Sequence, residues 1–519
     1  MAALSCLDPQ AQSPVHRDGN PDTLSWLMPR MLLDLQNRGQ LAAGMSTYNP
    51  IRETIIQTYK RVGTVAEAFK TSRVRKFRKI LNKHTGRAAI GHTRYATCGG
   101  DKKCFAQPFE RKHGSKRKWF AFSLNGNIAN LKQLQDRLLD AAPDYHLTLK
   151  NDTEIIMHYL AHAMRGDEER DLVDVFAELS DTFDGSYNIA YLNADGELVV
   201  CRDPIGFRPM CYAVDAKVFA AASESVALTN LGFKDVFTLE PGELIHVKDG
   251  KVRVARFAKK RPSAHCFFEW AYFANVASTL DERSVYLTRS SLGRELAARE
   301  REANVFPIDS QDTIVVPVPD TGKAAADAMA FALGVPSVEG LIRNRYVGRT
   351  FIEAADRAAK VRQKFTPLKE VLKGKRVILV DDSIVRSTTL NELLKYIREK
   401  GEAKEIHVRV ACPPIVAPCY YGIDMSEVRE LYAPKFISGT EATPDELAKM
   451  ARDLGADSLI YLPLEAVARS IGLPEQRLCR ACLTGQYPTS EGQRRYQLEL
   501  VPKTSPTTGS PLLAVGSGV

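Results

Sequence analysis

An uninterrupted apolar run beside a hydroxyl-rich turn restricts the fold of this chain more than any other feature. The segment RVILVDD, at 376–382, contains four consecutive apolar residues, as expected of a strand buried on both faces of a parallel sheet. After the turn at 383–389, apolar residues at 390, 393, 394 and 397 follow the spacing of one helix face. The sequence therefore predicts a central parallel strand, a turn and a covering helix.

The same order of strand and then helix recurs from about residue 312 onward. DTIVVPVPD precedes GKAAADAMAFALG, and EIHVRVA follows the helix after residue 389, which indicates an α/β domain with a mostly parallel sheet. Up to about residue 255, short β-prone runs are separated by Gly, Asp and Pro turns, with helical stretches between them. That half is predicted to be strand-rich α+β.

Composition argues against membrane and secreted proteins. The chain has no run of about 18 uncharged apolar residues, and its first thirty residues lack the basic start and apolar core of a secretory signal. We therefore expect a cytoplasmic protein with no membrane partner. Ten cysteines in 519 residues are too sparse for a disulfide scaffold, so thiols, metal ligands or nucleophiles are expected.

The net charge of +9 arises partly from basic clusters at 73–79 and 110–119. Such clusters can contact nucleic acid, but no aromatic base-stacking pattern accompanies them. Solvated basic faces are the favoured interpretation, so we predict no nucleic-acid partner. An anionic small substrate also suits a basic protein.

The turn at 383–389 has the chemistry of a phosphate site. It lies between the carboxyl end of the predicted strand and the amino end of the predicted helix, where free N–H groups and the helix dipole favour an anion. Three consecutive hydroxyl residues at 387–389 add donors. Asp381 and Asp382 would repel a phosphate, so we expect them to face sugar hydroxyls or Mg²⁺. A phosphorylated sugar suits both features, because its phosphate fits the turn and its hydroxyl groups fit the acid pair. An acid pair without such a turn would be expected only to cap a helix.

Residues 377–389 resemble the phosphoribosylpyrophosphate (PRPP) motif of type I phosphoribosyltransferases. The sequence is most similar to the form of the motif in the glutamine PRPP amidotransferases, in which Gly stands at the position of Ser387. The resemblance extends to a pyrophosphate loop at 316–322, a flexible loop at 342–352 and a linking segment at 266–296. It covers roughly residues 30 to 490, and chance does not place so many motifs in one order.

The resemblance implies roles for residues of the second half. Asp381 and Asp382 contact the ribose or its Mg²⁺, Thr321 helps to hold the metal, and residues 343–357 form a lid that keeps water out. The implied PRPP-binding set is Asp320, Thr321, Gly322, Lys323, Arg345, Arg349, Asp381, Asp382, Ser383, Arg386, Ser387, Thr388 and Thr389.

In the first half, the segments QNRGQLAAG, GHTRYATCGG, LNGNIAN and NDTE pair polar groups with Gly turns, as binding loops do. They resemble the glutamine-binding parts of the N-terminal-nucleophile (class II) glutaminases, which have an αββα layered fold. The resemblance implies that Arg94 binds the glutamine α-carboxylate and Asp152 its α-amino group, and that Asn125 and the Gly126 N–H form the oxyanion hole. Arg38 supports the site.

The nucleophile is the part of this resemblance that the sequence leaves open. These glutaminases use an N-terminal cysteine at the start of a buried strand. Cys6 would be exposed by removal of five residues, but Leu, Asp and Pro follow it, which does not suit a strand. A nucleophile encoded upstream of a misplaced gene start is the favoured interpretation, and an inert glutaminase is the other alternative.

Cys479 and Cys482 form a C-x-x-C pair, a spacing that lets two thiolates bind one metal or cluster. Some members of the family complete a [4Fe–4S] cluster with two further cysteines, at positions that correspond to Cys266 and Cys419. A structural zinc ion is the alternative. Cys201 and Cys412, which lie in β-prone runs, are expected in the core.

The sequence thus predicts a member of the amidophosphoribosyltransferase family, which hydrolyses glutamine and passes the ammonia to PRPP, giving 5-phosphoribosylamine for purine synthesis. Ammonia-only activity with an inert first domain and a non-enzymatic PRPP-sensing regulator are the alternatives. The resemblance implies Mg²⁺ and a [4Fe–4S] cluster as cofactors, purine nucleotides as feedback inhibitors and a homo-oligomer. The predicted parts are a class II amidotransferase domain at 1–258, a linking segment at 259–298, a phosphoribosyltransferase domain with an extension at 299–489 and a disordered tail at 490–519.

Overall fold

The computed structural model describes residues 1–95, 102–141, 146–344, 362–425 and 427–501. The strands of its first half are β1 Ala2–Cys6, β2 Ala42–Tyr48, β3 Ile56–Val62, β4 Ala88–Arg94, β5 Phe109–Arg111, β6 Phe120–Ile128, β7 Gly185–Asn193, β8 Leu198–Cys201, β9 Cys211–Val214, β10 Val218–Ala222, β11 Phe237–Thr238, β12 Glu243–Lys248 and β13 Lys251–Arg256. The helices are α1 Met28–Asp34, α2 Val65–Phe69, α3 Val74–Lys83, α4 Leu131–Ala141, α5 Asp152–Ala163, α6 Leu172–Thr182 and α7 Val226–Thr229.

These elements form two antiparallel sheets that pack face to face. The first has the order β11-β9-β10-β1-β4-β2-β3 and the second β13-β12-β8-β7-β6-β5. Ala3 and Ile90 of the first sheet share one buried cluster with Ala190 and Val200 of the second. Helix α1 covers the outer face of the first sheet, and α5 and α6 cover that of the second. The predicted αββα fold is confirmed.

Strand β1, at the start of the chain, was not predicted from the sequence. Residues Ala2–Cys6 pair with β10 on one side and β4 on the other, so β1 is central in its sheet. The side chains from Ala2 to Ser5 are all buried, as expected of a central strand. The strand ends at Cys6, so the prediction that Leu, Asp and Pro after Cys6 do not continue a strand is confirmed.

The second half contains the predicted parallel sheet. Its strands are β14 His265–Cys266, β15 Thr279–Leu280, β16 Arg283–Ser284, β17 Thr313–Pro317, β18 Leu341–Arg343, β19 Phe365–Pro367, β20 Arg376–Asp381, β21 Glu405–Val410, β22 Ser458–Tyr461 and β23 Leu478–Cys479. Its helices are α8 Val285–Ala303, α9 Lys323–Leu333, α10 Lys369–Leu372, α11 Thr388–Gly401, α12 Pro444–Leu454, α13 Leu464–Ile471, α14 Ala481–Thr484 and α15 Ser490–Leu500.

Strand β20 is central, in the parallel order β17-β20-β21-β22. Its residues Val377 to Val380 are fully buried, and the predicted apolar face of α11 packs in the same core. The strand, turn and helix expected from the sequence are therefore confirmed, with the turn at the carboxyl edge of the sheet.

The linking segment joins the two ends of the second half. Strand β14 pairs in parallel with β23, so that Cys266 lies opposite Cys479. Between β14 and α8, residues Glu269–Phe273 form a π-helix, a rare form often found at functional sites.

Helix α15 corrects part of the prediction of a disordered tail at 490–519, because residues 490–500 are helical and dock on the rest of the chain. Residues 502–519 lie outside the described part.

Two further predictions concern single residues and membrane segments. Cys201 and Cys412 are fully buried, so their assignment to the core is confirmed. Within the described ranges, the helices are too short or too polar to cross a bilayer.

Candidate active sites

Five residues predicted for glutamine binding line a single cavity of about 60 Å³. They come from separate elements: the turn before β2, the end of β4, the middle of β6 and the first turn of α5. The residues are Arg38, Arg94, Asn125, Gly126 and Asp152. Because long-range strand pairing brings them together, their grouping is a property of the tertiary fold. Their individual roles stay predictions.

Asn125 and Gly126 present donors on one wall of this cavity. The Asn125 side-chain amide donates to Ser223 Oγ at 3.1 Å, which holds the amide in place. Gly126 has φ of 144°, and a Cβ there would lie 2.1 Å from the carbonyl oxygen of Ser186. Only glycine fits such a position. Glycine thus permits β6 to lie close to the Ser186 backbone of β7 beside the cavity.

Asp152 lies at the first position of α5, where the helix begins. Burial raises the pKa of its carboxyl to about 6, although the Thr153 N–H donates to Oδ1 at 2.8 Å and opposes the shift. An ammonium group placed beside this carboxylate would favour the ionised form. The residue therefore suits the α-amino end of an amino acid.

Arg38 stands behind the cavity in a buried ion-pair network. Its guanidinium donates to Glu224 and to Glu269, each at 2.7 Å. Arg208 donates to the same Glu269 oxygen at 2.7 Å and also lines the cavity. The sequence did not single out Glu224, Glu269 or Arg208 for this site, because they are distant from Arg38 along the chain.

Met1 lines the same cavity at the start of β1. Its α-amino group is buried, and burial lowers the pKa of the amine to about 4, so the amine is neutral at pH 7. Among the described residues, no cysteine lines this cavity. In the part of the chain that the structure describes, the cavity lining thus combines a neutral amine with Asn125 and Gly126 and includes no thiol.

Cys6 does not meet the requirements for the nucleophile. It lies five residues beyond Met1 on an extended strand, which corresponds to roughly 16 Å at a rise of about 3.3 Å per residue. It pairs with Val218 at the other end of β1, and burial raises the pKa of its thiol. Removal of five residues to expose Cys6 would also delete β1 from the centre of its sheet. The suggestion that Cys6 is the nucleophile is therefore corrected.

A larger cavity, of about 340 Å³, lies at the carboxyl edge of the parallel sheet. Loops after β17 and β20 form one side, and the linking segment forms another. Seven residues of the predicted PRPP set line it: Asp320, Thr321, Asp381, Asp382, Ser383, Arg386 and Thr389. The cavity is large enough for a phosphorylated sugar.

The two adjacent acids face this cavity in a hydrogen-bonded array. The Thr321 hydroxyl donates to one oxygen of Asp382, and Ser383 Oγ donates to the other at 2.8 Å. Burial raises the pKa of both Asp382 and Asp381, and for Asp381 the neighbouring carboxylate adds to the shift. Because a cation would relieve the cost of ionising both, this donor set fits Mg²⁺. Thr321 also lies beside the pair, as predicted.

The turn predicted to bind phosphate has serine at position 387, in a conformation that does not require glycine. Ser387 precedes α11 with φ of −73° and ψ of −19°, an ordinary right-handed conformation. Its hydroxyl makes no cap hydrogen bond. Ser387 and Thr388 do not line the cavity directly, whereas Thr389 does.

Two other residues of the predicted PRPP set, Gly322 and Lys323, do not line the cavity. A Cβ at Gly322 would lie 2.7 Å from the Val380 carbonyl oxygen, so glycine permits the loop after β17 to approach β20. Lys323 extends to Asp327 and Glu339, each at 3.8 Å, and does not line the cavity. Arg345, Arg349 and most of the predicted lid lie outside the described residues.

Tyr95 lines both cavities. Its ring packs edge-on against Phe273, which lines the glutamine cavity, while Phe268 and Tyr272 line the larger one. The π-helix of the linking segment thus forms the partition between the two. Lys364 and Asp424 also line the larger cavity. Asp424 ends the segment PCYYGID, at 418–424, which resembles the family, but the sequence assigned neither residue a role.

Four cysteines from three parts of the chain line one enclosed cavity: Cys266, Cys419, Cys479 and Cys482. Burial raises the pKa of the Cys266 thiol to about 12, which the Arg208 charge partly opposes. No three His, Cys, Asp or Glu side chains in the described ranges converge on a point suited to one ion. A set of four cysteines suits a [4Fe–4S] cluster and also a structural zinc ion.

Comparison with known families agrees with this division of the chain. Residues 92–230 match the glutamine amidotransferase domain, and residues 289–422 match the phosphoribosyl transferase domain. An amidophosphoribosyltransferase of Methanothermobacter thermautotrophicus is 38% identical over 461 residues, which covers 88% of this chain and 90% of the relative. One from Archaeoglobus fulgidus is 38% identical and covers 92% and 96%. The chain belongs to the amidophosphoribosyltransferase family.

Solved structures extend the similarity to the whole fold. The glutamine PRPP amidotransferase of B. subtilis, complexed with ADP and GMP, has 30% identity and a TM-score of 0.77 over 95% of this chain and 98% of that one. A structure described as the allosteric regulatory enzyme of purine biosynthesis has 31% identity and a TM-score of 0.79, covering 94% and 96%. The fold that carries both cavities is therefore shared, over nearly the whole chain, with solved structures of this family.

Proposed function

We propose that this protein makes 5-phosphoribosylamine, pyrophosphate and glutamate from glutamine, water and PRPP. The observation that carries the proposal is the shared wall: Tyr95 lines both the glutamine cavity and the acid-lined cavity. Ammonia released in the first cavity then reaches the second without entering bulk water. The reaction begins purine synthesis.

In the first cavity, charge complementarity orients glutamine. Arg94 pairs with the α-carboxylate and Asp152 with the α-ammonium group, which directs the side-chain amide at Asn125 and Gly126. Their N–H groups donate to the amide oxygen as it gains negative charge. Arg38 holds this wall through its buried ion pairs.

In the second cavity, Asp381, Asp382 and Thr321 would hold Mg²⁺, which would neutralise charge on the departing pyrophosphate. Residues 383–389 hold the 5-phosphate through N–H groups and hydroxyls. Ammonia attacks the ribose carbon from the face opposite pyrophosphate, with inversion. Arg345 and Arg349 are proposed to close over this site, since water would compete for the same carbon.

Product formation tests the proposal. Purified protein is incubated with PRPP, Mg²⁺ and either glutamine or ammonium salts, and 5-phosphoribosylamine is measured in a coupled assay. Turnover is expected, with a loss of at least a hundredfold in the double variant D381N/D382N. Unchanged turnover in that variant would contradict the assignment of the acid pair. Binding of PRPP without any product would favour a non-enzymatic PRPP-sensing regulator.

A second candidate is synthesis from free ammonia alone, favoured because no described cysteine lines the glutamine cavity. A chain that starts at Met1 is expected to use ammonium salts and not glutamine. A version from an upstream start, or one with Cys in place of Met1 exposed by cleavage of a leader, is expected to use both. Equal, nonzero glutamine-dependent rates from all versions would rule out the misplaced gene start.

We propose a [4Fe–4S] cluster held by Cys266, Cys419, Cys479 and Cys482, with zinc as the alternative. Iron and acid-labile sulfide near four atoms each per chain would support the cluster. We further propose feedback inhibition by purine nucleotides, since the B. subtilis structure is complexed with ADP and GMP, together with a homo-oligomer and a cytoplasmic location. Inhibition assays with those nucleotides test the first of these.

A further inference from the structure

Arg208 occupies a position between two sites. It lies in the loop between β8 and β9 with 2% of its surface exposed. Its side chain lines the glutamine cavity and also the cavity of the four cysteines. No sequence motif assigned it a role in either site.

On the cysteine side, Arg208 is the one charged residue that lines the cavity in the described part of the chain. The other lining residues are thiols, aromatic rings and aliphatic groups. Four thiolates around an iron–sulfur core carry net negative charge, and burial makes that charge costly. The guanidinium supplies an opposite charge at this place.

On the glutamine side, Arg208 is part of a chain of buried ion pairs. Arg208 Nη1 and Arg38 Nη2 both donate to the same oxygen of Glu269, each at 2.7 Å. Both guanidinium groups also lie over the Phe273 ring, at 5.4 and 4.9 Å from its centroid. A displacement of Arg208 would therefore alter the support of Arg38 and Phe273, which line the glutamine cavity.

The backbone beside Cys419 connects the same two sites. Arg208 Nη2 donates to the Tyr421 carbonyl oxygen at 3.3 Å, and the Tyr421 N–H donates to Cys419 Sγ at 3.4 Å. The Tyr421 ring stacks on Phe207 at 4.1 Å. The next residue, Gly422, lines the glutamine cavity. One short segment thus carries both a cysteine ligand and a wall of the amino-acid site.

We propose that Arg208 is a positioning residue that makes glutamine binding depend on occupancy of the four-cysteine cavity. With the cluster in place, thiolate charge holds Arg208 between the cysteines and Glu269, and Glu269 keeps Arg38 at the glutamine cavity. Without the cluster, Arg208 loses one of its two counter-charges, and Arg38 and Phe273 are held less firmly at the glutamine cavity. The inference rests on the proposed function, because it takes the first cavity as an amino-acid site and the cysteines as cluster ligands.

Binding measurements test this without requiring turnover. L-Glutamate is titrated calorimetrically into iron–sulfur-loaded and cluster-free protein, and into the loaded variants R208Q and R208K. Cluster-free protein and loaded R208Q are expected to bind glutamate at least tenfold more weakly than loaded unmodified protein, with R208K between. In R208Q the midpoint potential of the cluster is expected to shift to lower values, because a nearby positive charge is lost. R409K serves as a matched control, since Arg409 is buried and paired with Glu300 away from both cavities.

Titration with Mg²⁺ and PRPP separates failure of this inference from failure of the proposed function. Arg208 does not line the PRPP cavity, so PRPP affinity is expected to stay within twofold in R208Q. Absence of PRPP binding in unmodified protein would overturn the proposed function. The role of Arg208 would be overturned if PRPP bound normally and the affinity for glutamate were the same in unmodified loaded protein, cluster-free protein and R208Q. Recovery of zinc without sulfide, or a cluster potential unchanged in R208Q, would overturn it as well.

Discussion

Burial of single ionisable residues sets the chemistry of both cavities. Asp152 and the acid pair Asp381 and Asp382 have raised pKa values, and the Met1 amine has a lowered one. In each case loss of hydration disfavours the charged form. A cationic ligand would therefore favour the ionised form of Asp152 and of the acid pair.

Glutamate binding is expected to depend on the ionisation of Asp152. The pKa of this carboxyl is about 6 in the free protein, and only the ionised form pairs with an α-ammonium group. Affinity should be constant above that pH and fall by about tenfold per pH unit below it. Calorimetric titration with L-glutamate between about pH 5 and 8 measures this profile. D152N should bind weakly with a flat profile, and a flat profile in unmodified protein would contradict the expectation.

Replacing one acid of the pair should stabilise the protein without metal. A raised carboxyl pKa means that the folded state binds protons more tightly than the unfolded one. The ionised pair therefore opposes folding at pH values above the raised pKa. This cost falls as pH drops below the raised pKa, and it is gone below the ordinary aspartate pKa. At pH 7.5 without Mg²⁺, D382N should gain about 1 kcal/mol for each unit of the shift. Thermal unfolding measures the gain.

The same variant should lose the further stabilisation that Mg²⁺ and PRPP confer on unmodified protein. D235N is a suitable control because Asp235 is exposed. A lower melting temperature in metal-free D382N would contradict the assignment of the raised pKa.

At the scale of elements, helix α15 fastens the end of the described chain to both halves. Glu499 accepts from Tyr420 Oη at 2.8 Å and from the Val428 N–H at 2.7 Å. Glu491 accepts from Gln133 of the first half at 2.7 Å. The helix therefore links the amidotransferase and phosphoribosyltransferase parts.

Removal of residues 490–519 is expected to lower the melting temperature by several degrees, since these hydrogen bonds and the packing of α15 are lost. Removal of 502–519 alone is the matched control, because that segment is rich in Ser, Thr, Gly and Pro and has little apolar surface to bury. Differential scanning calorimetry of both truncated chains compares them. Equal melting temperatures would contradict a structural role for α15.

At the scale of the whole molecule, the two cavities share a wall through Tyr95. Y95A in a version with an N-terminal cysteine should keep glutamine hydrolysis within about twofold. It should form several times less 5-phosphoribosylamine per glutamine consumed, because ammonia escapes to solvent. Parallel assays of glutamate and phosphoribosylamine give this ratio.

Y286A is a control for that ratio, since Tyr286 lies on α8 with 53% of its surface exposed. A product ratio in Y95A equal to that of Y286A would contradict transfer through the shared wall.

Local patterns in the sequence were sufficient for much of the fold and part of the site. The buried run from Val377 to Val380 and the apolar face of α11 predicted a central strand and helix, because burial on one or two faces imposes a period that is visible in the sequence. The acid pair and the hydroxyl turn are contiguous, so their chemistry was also visible. Strand β1 was not predicted, because five residues that are nearly all buried show no alternation of polar and apolar side chains.

The amino-acid sequence by itself determined which groups are available: acids, hydroxyls, amide donors and four cysteines placed in recognisable motifs. Only the tertiary structure decided their neighbours. It placed Met1 rather than Cys6 at the glutamine cavity, joined Cys266 to Cys479 by a strand pair, and set Arg208 between two sites. The physical reason is that these contacts join residues far apart in the chain, and long-range packing leaves no periodic signal along it.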